Sequence, residues 1–386
     1  MNVEKSNVMF ALLRSVLHSV FLSDDEKSQI NKQMQTQLLK TAKQHDLTHL
    51  IVIGLNNNNI FFENNELFEK DIFKAVYRYE QLQYEYDNLC ATLEEAQISF
   101  VPLKGAVIRK YYPEPWMRTS CDIDILVKEV DSEKATAILV NDCGYVYEGK
   151  GSHDISLFAP SNVHIELHYE LVEDGLANEA SEVLKNVWNV VRTRDGYSYL
   201  YEMPDEMFYF YHIAHMAKHF ENGGCGIRPF IDLWILDHLN EADKEKRDAL
   251  LEQGNLFKFA EVARKLSRIW FEDEEYDPVS MQMENYILHG GVYGNRENRI
   301  AVQQQKKGGR VKYALSRIFL PYDVIKFHYP ILQKHRWLTP FMEIRRWFKL
   351  LFHGKAKQSI NELKYNQNIS DAKADETKEF LMSIGL

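Results

Sequence analysis

The sequence predicts an α+β fold, in which a small β-sheet unit is embedded in a mostly α-helical chain. Residues 1–97 and the region after residue 205 carry apolar side chains at helical spacing. Between these regions, short apolar or alternating segments are separated by turns, which is typical of strands. We therefore expect an N-terminal helical region (1–97), a sheet domain (98–200), a C-terminal helical domain (201–360), and a polar linker with a terminal helix (361–386).

Periodicity and capping residues place the elements of this fold. Lys104-Gly105-Ala106 follows a short buried segment and indicates a turn from a strand into a helix. Ser370 is expected to cap the terminal helix. The predicted elements are strands at 98–103, 121–127, 145–148, 154–159 and 163–171, with helices at 66–97 and 132–141.

The composition is that of a globular protein, with 45% hydrophobic and 26% charged residues. Its four cysteines lie far apart, which argues against a disulfide scaffold or a cysteine-rich zinc site and suits a reducing compartment. No uncharged apolar run is long enough to span a bilayer, and no cleavage site follows the apolar N-terminal segment. The predicted location is therefore the cytoplasm.

The charge is unevenly distributed. Residues 306–357 contain 13 lysines and arginines against two acids, a net +11 in a chain of net charge −10. This basic block could contact nucleic acid or a membrane. We favour a different interpretation, a helix that faces the core and closes the active-site cleft. Its apolar stripe comprises Trp337, Phe341, Ile344, Trp347, Phe348, Leu350 and Leu351.

The segment 121–127 carries two aspartates at strand spacing. Asp122 and Asp124 are two residues apart, so their side chains should project from the same face of the strand. Adjacent carboxylates repel each other, and a bound cation relieves that repulsion. Because the donors are oxygens, Mg²⁺ or Mn²⁺ is expected rather than zinc.

A second polar face is predicted on the last strand. His164, Glu166 and His168 alternate with apolar residues. If this strand lies beside segment 121–127, Glu166 can reach the same metal, and three carboxylates can hold two divalent ions. The two histidines are expected to hydrogen-bond or pack behind the metal ligands rather than bind the metal.

The glycine turn and a nearby arginine complete the predicted site. Gly105 lets the backbone approach a phosphate, and Lys104 could add a positive charge. Arg118 lies four residues before Asp122, where its guanidinium could clamp a phosphate, although an ion pair is the alternative.

These motifs together resemble the nucleotidyltransferase superfamily with the DNA polymerase β-type palm, and in particular the bacterial family called uncharacterised nucleotidyltransferases. The matching segments are Leu103-Lys104-Gly105, Arg118-x-x-x-Asp122-Ile123-Asp124-Ile125-Leu126-Val127, Gly144-Tyr145, His153, Val163-His164-Ile165-Glu166-Leu167-His168 and, more weakly, His215, His219, Asp232 and Tyr329-Pro330-Ile331-Leu332.

The resemblance implies a nucleotidyltransferase-type sheet and transfer of a nucleoside monophosphate from a nucleoside triphosphate to an acceptor. It implies that Asp122 and Asp124 are metal ligands, that Glu166 is the third carboxylate, and that Gly105 is the triphosphate turn. Ala106 departs from the family pattern, which commonly has glycine or serine there. The 16 residues between Gly105 and Asp122 are also more than usual.

Two more elements are expected near the site. His212, His215 and His219 share one helical face, with packing or hydrogen bonding as their expected role. Segment 223–226 lacks the order of a phosphate-binding loop and is interpreted as a turn that brings Arg228 near the site. Asp232 is expected to anchor Arg228 or a histidine.

Two further functions are compatible with the sequence. A non-catalytic nucleotide-binding or interaction protein could keep the same fold. A metal-dependent hydrolase could use His164, Glu166 and His168.

Overall fold

A computed structural model of the chain describes residues 3–61, 65–172, 178–239, 243–272, 274–352 and 356–386. The N-terminal helices are α1 (Val3–Leu17), α2 (Asp24–Gln29), α3 (Lys32–Gln44), α4 (Thr48–Asn57) and α5 (Asn65–Glu95). The middle of the chain forms β1 (Phe100–Pro102), α6 (Lys104–Ile108), β2 (Asp122–Val127), α7 (Glu129–Asn141), β3 (Val146–Lys150), β4 (Asp154–Phe158), β5 (His164–His168), α8 (Asn178–Lys185), β6 (Arg192–Thr193) and β7 (Tyr201–Glu202).

The remainder of the described chain is helical, which confirms the predicted α+β class. Its helices are α9 (Asp205–Phe220), α10 (Arg228–Asp237), α11 (Lys244–Gln253), α12 (Phe257–Glu272), α13 (Pro278–Leu288), α14 (Arg296–Lys307), α15 (Arg310–Ile318), α16 (Tyr322–His328), α17 (Ile331–Lys334), α18 (Thr339–Phe352), α19 (Ala356–Asn368) and α20 (Asp371–Ser383).

The main sheet is mixed, with the strand order β1-β2-β5-β4-β3. β2 and β5 are parallel neighbours at its centre, and the other pairings are antiparallel. A parallel pair requires a crossover, which α7, β3 and β4 provide between the two central strands. The predicted strands and helices in this region are confirmed, with ends that differ by at most three residues.

Two hydrophobic cores lie on the two faces of the sheet. Ile123, Ile125 and Ile165 pack against α5 and α7 in the smaller core. The larger core joins α1, α3 and α4 to the helices from α9 to α13, and it includes Leu126 from the other face of β2. The polar side chains on the face of the sheet that includes Leu126 therefore point toward the C-terminal helices.

The end of the chain differs from the prediction. Ser370 caps α20 as expected, since its hydroxyl accepts a hydrogen bond from the Lys373 backbone amide. The predicted polar linker is wrong, because α19 continues to Asn368. Its polar residues include good helix formers such as Glu362 and Lys364. A buried hydrogen bond of 2.7 Å, which Gln304 Nε2 donates to Asn366 Oδ1, also connects α19 to α14.

The predicted core-facing role of the apolar stripe in the basic block is also wrong. Trp337, Phe341 and Ile344 are exposed to solvent rather than packed against the cleft. Helical spacing shows that apolar side chains share a face but not which way that face points. Lys355 and the side chains of Leu351 and Lys357 lie outside the described part of the structure.

None of the helices in the described ranges combines the length and apolar character needed to cross a membrane.

Candidate active site

The central strands place three carboxylates on one face of the sheet. Asp122 and Asp124 project from β2, and Glu166 projects from β5. Asp124 and Glu166 are directly paired in the parallel register. The intervening Ile123 and Ile165 point into the smaller core, so the alternation of each strand fixes the direction of its carboxylates.

Asp124 is the most buried of the three, and its carboxylate contacts a lysine and a histidine. Lys104 Nζ lies 2.8 Å and His168 Nε2 lies 2.9 Å from the same oxygen, Asp124 Oδ1. Burial raises the pKa of Asp124, but the Lys104 ammonium and the His168 hydrogen bond outweigh it and hold the pKa well below its usual range. Asp124 is thus a carboxylate that already has a cationic partner, Lys104, and a hydrogen bond with His168.

Asp122 has the opposite electrostatic environment. Burial, followed by repulsion from Asp124, raises the pKa of its carboxyl group. Ligand atoms of Asp122, His164 and Glu166 lie within 4.8 Å of one another, as do those of Asp124, Glu166 and His168. A divalent cation would relieve the repulsion at Asp122, so the donor set fits a hard metal ion.

The histidines of the sheet lie around these carboxylates. His164 Nε2 is 2.6 Å from Ser156 Oγ, and its Nδ1 is 3.9 Å from Glu166 Oε1. His168 Nε2 is also 3.4 Å from Glu166 Oε2. The ring of His153 lies 5.8 Å from the ring of His168. His168 therefore bridges two of the carboxylates, while His153 packs behind it.

The turn between β1 and α6 brings Lys104 onto the sheet face. Lys104 has a φ of +44°, a conformation that non-glycine residues rarely adopt. Gly105 follows, and a Cβ added there would lie 3.1 Å from Arg118 Nη1 and 3.2 Å from Arg109 Nη2. The glycine thus makes room for two guanidinium groups. Arg109, four residues later in the chain, donates to the Gly105 carbonyl at 2.7 Å.

Arg118 joins the sheet to the C-terminal helices. Its Nη2 lies 2.8 Å from Asp232 Oδ2 and its Nε lies 3.2 Å from Oδ1, an almost fully buried pair. Tyr112 donates its hydroxyl to the same carboxylate at 2.6 Å. The expectation that Asp232 anchors Arg228 or a histidine is therefore wrong. No local pattern could pair Arg118 with a residue so distant in sequence.

Arg228 enters the site from the glycine turn that follows α9. Gly223 and Gly224 both have positive φ, so glycine is required at these positions. Arg228 begins α10, donates a hydrogen bond to the Thr119 carbonyl, and lies 3.6 Å from Asp46. Burial and the neighbouring Arg118 lower its pKa.

Helix α9 forms the wall opposite the sheet. His215 Nε2 and His219 Nε2 are 3.3 Å apart. His212 Nε2 instead lies 2.9 Å from the Pro229 carbonyl, so it joins α9 to α10. Burial lowers the pKa of His219 to about 4, with the cations Lys218 and Lys104 adding to the shift. The pKa of His215 is lowered well below its usual value by burial and by Lys104.

Lys218 lies on the same wall and was missed in the sequence. Burial, followed by repulsion from Lys104, lowers its pKa to about 8. Its position three residues after His215 was the available signal, because residues i and i+3 share a helical face.

The two walls enclose one cleft of about 510 Å³. The three carboxylates and His153 and His168 line it from the sheet side, together with Lys104, Gly105 and Arg118. His215, Lys218, His219 and Arg228 line it from the helical side. The volume lies in the range of small-molecule sites. His164 is absent from this lining, although its ring nitrogen lies near Glu166.

Comparison with known proteins agrees with this geometry. A family model described as "Uncharacterised nucleotidyltransferase" matches residues 31–272. No curated protein and no solved structure gives a significant match. The matched segment contains the central strands, the turn at Gly105, α9 and α10, and it spans more than half of the sequence. The chain therefore belongs to this nucleotidyltransferase family.

Proposed function

We propose that the protein is a divalent-metal-dependent nucleotidyltransferase, which transfers a nucleoside monophosphate from a nucleoside triphosphate to a hydroxyl acceptor. One observation carries this proposal. A single cleft separates the three carboxylates of the sheet from the basic side chains of α9 and α10. The carboxylates are those of Asp122, Asp124 and Glu166. Carboxylates bind cations and basic groups bind phosphates, so a metal–triphosphate substrate complements both walls.

The carboxylates are the groups that would hold Mg²⁺ or Mn²⁺. Asp122 and Asp124 are proposed as ligands of both ions, with Glu166 as the third carboxylate of the catalytic ion or as the base. A divalent ion bound there would supply charge stabilisation at the phosphoryl group and would favour ionisation of the acceptor hydroxyl. His168 orients Asp124 and Glu166 through its contacts with both.

The triphosphate is proposed to lie between Lys104 and the helical wall. Lys104 and Lys218 are the ammonium groups that line the cleft from its two sides. Gly105 lets the backbone of the turn approach the phosphates. Arg118 lines the same cleft, but its guanidinium is bound to Asp232. We therefore assign Arg118 to positioning the turn at the phosphates.

The proposed reaction forms a bond between the acceptor oxygen and the α-phosphorus and breaks the bond from that phosphorus to pyrophosphate. The acceptor hydroxyl loses its proton, and Glu166 is the proposed recipient if it acts as the base. The Glu166 side chain is 27% exposed, whereas that of Asp124 is 4% exposed. Glu166 is thus the more accessible of the two to an incoming acceptor.

A calorimetric titration tests the substrate class. Each nucleoside triphosphate, beginning with ATP, is titrated into the protein with and without Mg²⁺. We expect binding that requires Mg²⁺ and is abolished by Asp122→Asn plus Asp124→Asn. Asp142→Asn is the matched control, since this carboxylate is exposed at the end of α7, away from the cleft. Metal-dependent binding that survives the double substitution would exclude the carboxylate site.

A metal-dependent hydrolase is a second candidate, favoured by one observation. Among the residues that the structure describes, both clusters that could hold a metal include a histidine, His164 in one and His168 in the other. This alternative predicts zinc or manganese in the purified protein, lost on His164→Ala plus His168→Ala. A nucleotidyltransferase predicts pyrophosphate release that depends on an acceptor. A binding protein with the same fold predicts triphosphate binding without pyrophosphate release.

The predicted cytoplasmic location suits this substrate class and stays a prediction. A screen of labelled nucleoside triphosphates against cell extract would identify the transferred nucleotide and the acceptor together.

A further inference from the structure

The helix α18 and the turn before it expose an apolar stripe. Trp337, Phe341 and Ile344 have relative exposures of 69%, 59% and 56%. Their spacing of four and three residues places them on one face, and the rings of Trp337 and Phe341 are in edge contact at 6.4 Å. Large apolar side chains at this level of exposure, grouped on one face, mark an interaction surface.

The opposite side of α18 is polar and buried. Glu343 is almost completely buried and accepts hydrogen bonds from the Leu320 amide at 2.7 Å and from Arg346 Nε at 2.8 Å. Arg346 also donates to the Ile318 carbonyl. Turning the apolar stripe inward would break these bonds and expose their partners. The helix is therefore fixed with its apolar stripe outward.

Helix α15 shows the same inversion. Val311, Leu315 and Phe319 are spaced four residues apart and are all exposed. The buried residue is Tyr313, whose hydroxyl donates to Glu362 Oε1 at 2.6 Å. Two helices of one segment thus bury hydrogen-bonded polar groups and present apolar ones.

The charge of this segment identifies the kind of surface that it fits. Residues 306–357 carry a net charge of +11. Arg345 and Lys349 are exposed beside the stripe of α18, and Lys312 is exposed on α15. Apolar side chains flanked by lysine and arginine are the signature of interfacial helices on anionic lipid, where the apolar groups enter the acyl boundary and the cations contact headgroups.

Other occupants fit less well. A two-fold contact with a second copy would bring two strongly basic segments together, and like charges repel. A nucleic acid would satisfy the charge and could stack on Trp337 and Phe341. However, the aliphatic side chains of Ile344, Val311 and Leu315 offer no plane for base stacking.

We infer that the segment 310–352 docks on the surface of an anionic lipid bilayer through the exposed apolar stripes of α15 and α18. This inference stands apart from the proposed function, because none of these residues lines the active-site cleft.

Vesicle sedimentation with the full chain tests the inference. Vesicles of phosphatidylcholine alone are compared with vesicles that contain phosphatidylglycerol, at low and high salt. We expect binding to the anionic vesicles that weakens as salt is added. Arg345→Gln plus Lys349→Gln should lower the partition coefficient about 25-fold, since each charge contributes about 1 kcal/mol near an anionic surface.

Two further variants test the apolar stripe of α18 itself. Phe341→Glu plus Ile344→Glu should abolish vesicle binding without unfolding the chain, because both side chains are exposed. Val130→Glu is the matched control, as Val130 is 86% exposed on α7. Quenching of tryptophan fluorescence by brominated lipid should fall in Trp337→Phe.

Several results would overturn the inference. One such result is that the Phe341→Glu plus Ile344→Glu variant sediments with anionic vesicles as strongly as the parent protein. Binding to a single-stranded RNA oligonucleotide, without binding to anionic vesicles, would assign the surface to nucleic acid. A dimer that dissociates on the same double substitution, again without vesicle binding, would assign it to self-association.

Discussion

The sheet wall of the cleft combines three carboxylates with Lys104, whereas the helical wall carries the basic side chains of α9 and α10. The charges of the two walls are stabilised in different ways. On the sheet wall, Asp124 is compensated by Lys104 and His168. On the helical wall, the pKa values of Lys218 and His219 are lowered by burial and by neighbouring cations. An incoming anion would relieve the repulsion between Lys218 and Lys104. In the proposed function, this difference assigns the cation to the carboxylates and the phosphates to the basic side chains.

The largest expected effect comes from removing charge on the sheet wall. A single group aimed at transition-state charge contributes about 10²–10³ in rate. Asp122→Asn plus Asp124→Asn should therefore lower pyrophosphate release by more than about 10³-fold, measured with the identified triphosphate and acceptor. Retained turnover in this variant would contradict the division of roles between the walls.

The next largest effect is expected from breaking the ion pair between Arg118 and Asp232, which links the two walls. Asp232→Ala leaves the Arg118 guanidinium buried without its carboxylate, which should cost about 3–5 kcal/mol in the free energy of unfolding. Burial raises the pKa of Asp232, but Arg118 outweighs it and the folded-state pKa is lowered. The contribution of this pair is therefore present at neutral pH and is lost as the pH falls toward that lowered value.

Urea denaturation at pH 7 and at acid pH measures both effects. Asp142→Asn, at the exposed end of α7, is the control and should change stability by less than about 0.5 kcal/mol. Equal stability losses in the two variants would show that Arg118 does not join the walls.

Lys218 tests the helical wall. A hydrogen bond to a charged group contributes about 1.5–3 kcal/mol, so Lys218→Met should weaken triphosphate binding about tenfold to a hundredfold. The ammonium form binds phosphate, and the pKa of Lys218 is about 8. The affinity of the parent protein should therefore fall between pH 7 and pH 9, while that of Lys218→Met should change less. Calorimetry at pH 7, 8 and 9 measures this difference, and parallel pH profiles would remove Lys218 from the phosphate site.

The smallest expected effect concerns the turn at the edge of the sheet wall. Ala106→Ser restores the hydroxyl that the family pattern commonly has, and a neutral hydrogen bond contributes about 0.5–1.5 kcal/mol. Triphosphate binding should tighten roughly twofold to tenfold. Val107→Thr is the control, because it adds a hydroxyl one residue further along. Tightening in the control alone would place the phosphates elsewhere.

The sequence predicted the sheet wall better than the helical wall. Alternation along β2 and β5 predicted which carboxylates share a face, because strand periodicity is local. The pairing of Asp124 with Glu166 depended on the two strands being neighbours, which only the tertiary fold determines. Lys218 was missed although it shares a helical face with His215. The partner of Asp232 could not be predicted, since its contact with Arg118 joins segments far apart in the chain.

The predicted orientation of the basic segment was wrong for a related reason. The periodicity of Trp337, Phe341 and Ile344 predicted one apolar face, and the general tendency to bury such faces predicted its direction wrongly. Glu343 and Arg346 decide the orientation through hydrogen bonds to α15 and the turn after it. The direction of a helix face thus depends on the partners of its polar side.

Manganese binding tests the central claim most directly. Electron paramagnetic resonance counts the Mn²⁺ bound to the parent protein, to Asp122→Asn plus Asp124→Asn, and to the Asp142→Asn control, each with ATP. The carboxylate site predicts bound Mn²⁺ in the parent and in the control, and its loss in the double variant. Unchanged Mn²⁺ binding in the folded double variant would contradict it.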